Sequence, residues 1–156
     1  MEDKELMSSF TDVYFKTMKD MTTILQAATA PYKVSFEQYQ IMRDVAHKNA
    51  TSLTELVKLR GVTKPAIARQ LRTLRSLNYM RQKVADEDRR RHVLSLTRSG
   101  QQVEKQIETN MDGRLSTLLL ALGPDDIQTL KQLLTQLDVK VLEPVRATQK
   151  SAQDSE

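Results

Sequence analysis

Eleven lysine and arginine residues are concentrated in residues 58–91 of the 156-residue chain, together with only three acidic residues. This segment has a net charge of +8, whereas the rest of the chain has a net charge of −4. Cationic side chains at this density favour binding to nucleic-acid phosphates. A solvated basic face would have the same composition, so the charge alone leaves both interpretations open.

The first part of this segment predicts an amphipathic helix with a basic outer face. At about 100° per residue, Ile67, Leu71 and Leu74 point to one side. Arg69 and Arg72 lie opposite, where an arginine can donate two hydrogen bonds to a guanine in the major groove. The predicted DNA-binding residues of this helix are Thr63, Lys64, Pro65, Ala66, Arg69, Gln70 and Arg72. The first two, at the helix start, are placed for phosphate contacts.

A second group of cations, Arg89, Arg90 and Arg91, lies in a predicted hairpin turn and completes the predicted DNA-binding set. A long cationic side chain on a projecting loop can enter a narrow A·T-rich minor groove. We expect Asp86 or Asp88 to pair with a neighbouring arginine guanidinium and so to fix the loop. A solubilising turn without a DNA contact is the alternative.

The sequence offers little for other chemistry. It contains no cysteine, which excludes disulfides and thiolate metal sites. It also lacks a glycine-rich phosphate loop and a Ser/His/Asp order, so we expect no enzymatic activity. The two histidines, His47 and His92, have no His or Cys partner at metal-ligand spacing. We therefore expect packing or solvent-facing histidines, and neither a metal nor a cofactor.

The residues before the basic segment predict the elements that position it. Apolar residues in steps of three and four predict a first helix over about residues 4–30. Ser35 followed by Gln38, and Ser52 followed by Glu55, are capping-box patterns that start two further helices.

A helix-turn-helix followed by a hairpin is predicted next. Gly61 suits a helix exit with positive φ, and Thr63 can cap the following helix, which runs to about residue 78. Residues 79–84 and 92–96 have strand character. A hairpin directly after the second helix of a helix-turn-helix is a wing.

The remainder of the chain predicts two more helices. Thr97 can cap the first, and Gly123-Pro124 separates it from a second over residues 125–141. Pro144 is expected to interrupt that helix, and residues 150–156 are expected to fray.

The predicted fold is mainly α with a small β-hairpin wing: a winged helix-turn-helix with N- and C-terminal dimerisation helices. Residues 1–30 and 98–148 form the predicted helical dimerisation region, residues 35–97 the DNA-binding domain, and residues 149–156 a flexible tail. No apolar run is long enough for a membrane span and no signal peptide is recognisable, so we expect a cytoplasmic protein.

Three stretches resemble the MarR family of bacterial transcription regulators: residues 53–56, 61–67 and 88–100. The last is similar to the family's wing pattern, in which an Asp, an Arg two residues later and an apolar strand ending in Leu-Thr precede a Gly. By this resemblance, Asp88 is the wing aspartate and Arg90 the wing-tip arginine. The resemblance implies homodimers that bind short palindromic operators, often repress their own genes and are released by small, often anionic aromatic ligands.

We therefore predict a regulator that binds double-stranded DNA sequence-specifically as a homodimer, and a repressor released by a small anionic or aromatic effector. Tyr14, Tyr39 and Arg43 are possible lining residues of an effector pocket. Three long amphipathic helices cannot all bury their apolar faces against a small winged module, so we expect a partner copy to cover them. The alternative is a helical dimeric protein-protein interaction module with a winged-helix shape, which would not need eleven cations in this segment.

Overall fold

The computed structural model describes residues 2–85, 87–88, 90 and 92–153. In chain order the elements are α1 (Glu2–Thr29), a 3₁₀ turn (Ala30–Tyr32), α2 (Phe36–Ala46), α3 (Leu53–Arg60), α4 (Lys64–Ser76), β1 (Met80–Val84), β2 (His92–Leu96), α5 (Arg98–Leu119), α6 (Pro124–Leu137), a π-helical turn (Asp138–Leu142) and α7 (Glu143–Gln153). Two compact units divide the chain, Met1–Asp112 and Gly113–Glu156. The mainly α architecture with one hairpin confirms the predicted fold class.

Side-chain caps fix where α2 and α3 begin. The Ser35 hydroxyl accepts from the Gln38 N–H at 3.1 Å, and the Gln38 side-chain oxygen accepts from the Ser35 N–H at 2.9 Å. The Ser52 hydroxyl accepts from the Glu55 N–H, and the Glu55 carboxylate accepts from the N–H and hydroxyl of Thr51. The first N–H groups of a helix have no partner within it, so these caps stabilise both starts as predicted.

A three-residue turn joins α3 to α4. Gly61 ends α3 with φ 64°, in the left-handed region that favours glycine. Thr63 is extended and its hydroxyl accepts from the Ala66 N–H at 3.4 Å, while Pro65 occupies the first turn of α4. This confirms the predicted helix-turn-helix.

The first unit packs around one apolar core, to which α2, α3, α4, the hairpin and the first half of α5 contribute. Its fully buried side chains include Met42, Leu56, Ile67, Leu74 and Ile107. Burying each such side chain is worth about 1.5–3 kcal/mol. The predicted inner face of α4 is therefore the face that holds it in place.

The base of the hairpin is locked to the start of α5. β1 and β2 pair antiparallel, and the Thr97 N–H donates to the Tyr79 carbonyl at 3.0 Å. The Thr97 hydroxyl donates to the Asn78 carbonyl and accepts from the Gly100 N–H, which is the predicted cap. A Cβ on Gly100 would lie 2.0 Å from the Tyr79 carbonyl oxygen, so only glycine allows this close approach.

Most of α1 is exposed although it is amphipathic. All residues from 2 to 20 are exposed, and burial begins only near its end, at Ala28 and Thr29. Its exposed large apolar side chains are Leu6, Met7, Phe10, Val13, Tyr14, Phe15 and Met18. No helix within the described residues is long and apolar enough to cross a membrane.

Helical structure in the second unit continues through Pro144, so the predicted interruption of the helix there is wrong. The Glu143 N–H donates to the Asp138 carbonyl five residues back, which widens the turn just before the proline. Proline lacks an N–H and its ring crowds the preceding turn, and a widened turn accommodates both properties. The helix then runs to Gln153, into the segment predicted as a tail.

Candidate nucleic-acid interface

α4 presents the predicted basic face to solvent. Thr63, Lys64, Pro65, Arg69 and Arg72 are all exposed, while the three apolar residues of the opposite face are buried. Two arginines one turn apart therefore project from one side of a helix whose other side is fixed in the core. This arrangement leaves the outer face of the N-terminal half of α4 exposed.

Ala66 and Gln70, the other predicted residues of α4, are half-buried. The Gln70 side-chain oxygen accepts a hydrogen bond of 2.8 Å from the Gln38 amide. Gln38 also closes the cap of α2, so one side chain links the start of α2 to α4. The structure thus places Gln70 against α2 as well as beside the exposed face, a contact that the sequence does not reveal.

One cation of the basic segment is used to join helices. The Arg60 guanidinium forms an ion pair of 3.2 Å with Asp44 and donates to the side-chain oxygen of Gln40. Arg60 therefore fastens the end of α3 to α2. Its charge is partly compensated within the chain.

Two further arginines hold the hairpin. Arg75 donates from α4 to the Gln82 side chain at 3.2 Å, and Arg81 donates across the hairpin to the Ser95 hydroxyl at 3.1 Å. The first contact links the wing to α4, and the second joins the two strands of the wing. Among the described residues of the segment, the exposed cations whose side chains take part in neither set of contacts are Lys58, Lys64, Arg69, Arg72, Lys83 and Arg90.

One contact within the wing loop involves the backbone of Arg90. Asp88 accepts a hydrogen bond of 2.9 Å from the Arg90 N–H, a two-residue contact typical of an Asx turn. This contact differs from the guanidinium pair predicted from sequence, because Asp88 can reach the nearby N–H without ordering a long side chain. Arg89, Arg91 and Asp86 lie outside the described residues.

A groove of about 900 Å³ runs along α5 within the first unit. Its lining residues are Tyr32, Arg98, Gln101, Gln102, Lys105, Gln106, Thr109 and Asn110. The lining thus combines one aromatic ring, two cations and several neutral polar groups, with no carboxylate among the described lining residues. Small anions with an aromatic ring match this chemistry.

The three residues named from sequence for an effector pocket lie elsewhere. Tyr14 and Arg43 are exposed, and Tyr39 is buried in the core. Burial, with a smaller effect of the Glu104 carboxylate, raises the pKa of Tyr39 to about 12. Tyr39 is therefore a neutral core phenol. The sequence feature that could have indicated the groove is the regular spacing of polar residues along α5.

Comparison with known proteins gives relatives of one kind. No family model matches the chain. Uncharacterised HTH-type transcriptional regulators from Staphylococcus aureus are 27% identical to it over 103 residues, which are 66% of this chain and 68% of the relative.

Two solved structures are similar over most of the chain. MepR from S. aureus in complex with DNA has a TM-score of 0.74 at 18% identity, covering 85% of this chain and 98% of MepR. MarR from S. aureus in complex with salicylate and kanamycin has a TM-score of 0.76 at 18% identity, covering 88% of this chain and 93% of that protein.

The helix-turn-helix and the hairpin that follows it define a winged helix-turn-helix fold. Within that class the fold is that of the MarR family. This confirms the fold that the resemblance implied.

Proposed function

We propose that the chain is a sequence-specific double-stranded DNA-binding regulator, a repressor that acts as a homodimer on a palindromic operator. The observation that carries the proposal is the exposed basic face of α4, immediately before a hairpin that exposes Lys83 and Arg90. The names of the S. aureus relatives and the DNA bound to MepR support it.

In this proposal α4 enters a major groove by its N-terminal half. Arg69 reads a guanine edge, and Arg72, one turn nearer the end of the helix, contacts phosphate. Thr63 and Lys64 contact phosphates at the helix start. Arg90, with its sequence neighbours, reaches the adjacent minor groove, and the Asp88 contact limits where the Arg90 backbone can lie.

The homodimer is supported by apolar side chains that lack cover. The seven exposed apolar residues of α1 and those of the second unit are too many for the surface of a stable monomer. A second copy of this chain would cover the apolar residues of α1 and of the second unit. The two-fold symmetry of such a dimer matches the symmetry of a palindromic operator. A pair of α4 helices about 34 Å apart would then meet successive turns of DNA.

Release by a small anionic or aromatic effector is proposed at the groove of α5. Arg98 and Lys105 supply positive charge and Tyr32 supplies a ring. The complex of S. aureus MarR with salicylate supports this ligand class. Salicylate is the probe: it should lower operator affinity of the unmutated protein, and Arg98→Ala with Lys105→Ala should weaken that response, whereas Lys131→Ala should not.

Selection of bound duplexes from a random pool tests DNA binding directly. A palindromic consensus is expected, with affinity that falls about 10³-fold between low and moderate salt because phosphate contacts release counterions. Arg69→Ala should cost about 1–3 kcal/mol and relax preference at one base per half-site. Arg72→Ala should weaken all sequences evenly, and Arg114→Ala is the matched control.

An affinity independent of salt, or an Arg69→Ala variant that keeps full affinity and preference, would contradict the proposal. A dimer that enriches no duplex would favour the alternative, a protein-protein interaction module with a winged-helix shape.

A further inference from the structure

Three potential metal ligands from distant parts of the sequence meet at the surface of the first unit. His47 ends α2, and its Nε2 lies 3.8 Å from Glu104 Oε1 and 3.9 Å from Glu108 Oε1. Glu104 and Glu108 are four residues apart on α5 and therefore share one face of that helix. The three ligand atoms all lie within 4.8 Å of one another.

The Glu104 carboxylate is the unusual member of this cluster. Glu104 is 6% exposed, and its Oε1 accepts no hydrogen bond from any described residue. Leaving a buried carboxylate oxygen without a partner costs free energy. The His47 imidazole does not solve this, because 3.8 Å is beyond hydrogen-bonding distance.

The surrounding charges only partly compensate this carboxylate. Burial, and then the Glu108 carboxylate, raise the pKa of Glu104. His47, Arg43 and Lys105 act in the opposite direction with smaller effects. A cation placed between the two carboxylates would remove their repulsion and supply the missing partner.

We propose that His47, Glu104 and Glu108 bind a divalent first-row transition-metal ion, for which Zn²⁺ is the probe. One imidazole nitrogen and two carboxylate oxygens form a three-ligand set that Zn²⁺ accepts, with solvent in the remaining position. Metal–ligand bonds of about 2.0–2.2 Å place tetrahedral ligand atoms roughly 3.3–3.6 Å apart. The half-exposed His47 and the one-third-exposed Glu108 can rotate to close the small remaining gap.

The ligand types also select the metal. Imidazole disfavours Mg²⁺ and Ca²⁺, which prefer oxygen ligands, and the absence of cysteine from the sequence removes thiolate selection for Cu(I). The exposed side of His47 gives the ion a path from solvent. Once bound, the ion would tie the end of α2 to the first half of α5, on either side of the helix-turn-helix in sequence.

The test uses the full chain, treated with a chelator and then titrated with Zn²⁺ by calorimetry and by thermal melting. One Zn²⁺ per chain and a higher Tm are expected, with no response to Mg²⁺. His47→Ala should weaken binding by about tenfold or more and abolish the Tm increase. His92→Ala is the matched control, because His92 is the other histidine of the sequence and is exposed at the start of β2.

The carboxylates are tested in the same way with Glu108→Gln, against Glu37→Gln on the exposed side of α2. Co²⁺ in place of Zn²⁺ should give visible absorption bands that His47→Ala removes. Circular dichroism of each variant tests whether the fold is kept. Unchanged Zn²⁺ binding in His47→Ala, equal loss in His92→Ala, or no binding to the unmutated chain would overturn the proposal and leave a simple ion pair. None of these outcomes depends on DNA binding.

Discussion

The two compact units differ in how their apolar side chains are covered. In Met1–Asp112, side chains from α2 to α5 surround a core that excludes solvent. In the second unit, no residue within 113–149 is buried, although α6 and the turns after it are rich in leucine and valine. The first unit therefore holds a core of its own, whereas the apolar faces of the second need a surface from another source.

The largest expected effect comes from charges placed on the uncovered face of α6. Leu130→Asp with Leu137→Asp replaces two apolar side chains, each worth about 1.5–3 kcal/mol when buried. If a second copy covers this face, the dimer dissociation constant should rise by at least about 10³-fold. Light scattering across a concentration series measures the change, and operator affinity should fall with it.

Gln132→Asp with Gln136→Asp is the matched control, since it adds the same charge to the polar side of the same helix. An unmutated chain that remains a monomer at micromolar concentration and still binds a palindrome tightly would refute this account of the second unit.

The next comparison replaces one leucine by alanine in each unit. Leu74 is fully buried, so Leu74→Ala should lower the free energy of unfolding by about 2–5 kcal/mol. Leu133 is 58% exposed within the chain, so Leu133→Ala should act mainly through dimerisation. Urea unfolding at two protein concentrations separates the effects: the loss in Leu133→Ala, and not the loss in Leu74→Ala, should depend on concentration. Equal concentration dependence for both would remove the distinction between the units.

Two glycines of α5 sharpen the contrast at a smaller scale. Gly100→Ala forces a methyl group against the Tyr79 carbonyl and should cost about 1–3 kcal/mol. Gly113→Ala has no atom within 4 Å of the new Cβ, and should stabilise the helix by about 0.5–1 kcal/mol. Thermal melting should therefore shift in opposite directions for the same substitution, and a parallel shift would show that the wing base tolerates a side chain.

The smallest expected effect concerns the wing loop. Asp88→Ala removes the acceptor of the Arg90 N–H, a contact worth about 0.5–1.5 kcal/mol, and should weaken operator binding by about tenfold or less. Asp88→Asn keeps an acceptor oxygen and should retain most of the affinity. Gel-shift titration of both variants decides the matter, and equal loss in the two would indicate that the charge of Asp88, rather than its hydrogen bond, is what counts.

Local signals in the sequence predicted most of the fold. Ser35, Gly61 and Thr97 act within a few residues of themselves, so their types alone locate the helix ends. Apolar spacing likewise identified the buried side of α4. The prediction that Pro144 interrupts the helix was wrong because a widened turn accommodates the proline. That turn depends on the hydrogen-bond pattern of the helix, which residue types do not reveal.

Contacts between residues far apart in the sequence could not be predicted from these local patterns. Ligand spacing along the sequence gave no sign that His47 would meet Glu104 and Glu108, since α2 and α5 are brought together by the core. The use of Arg60 as an ion-pair partner of Asp44 was equally hidden, so the charge count overstated the cations available to DNA. Residue types predict which side chains are able to interact, and only packing decides which of them meet.

The contact between Gln38 and Gln70 has a mechanical consequence. The Gln38 side-chain oxygen accepts from the N–H of Ser35, which caps α2, and the Gln38 amide donates to Gln70 of α4. Rotation of α4 about its own axis would therefore strain the start of α2, and any disturbance that unwinds the start of α2 would release that restraint. The side chain that caps α2 thus also restrains the rotation of α4, and with it the direction in which the basic face points.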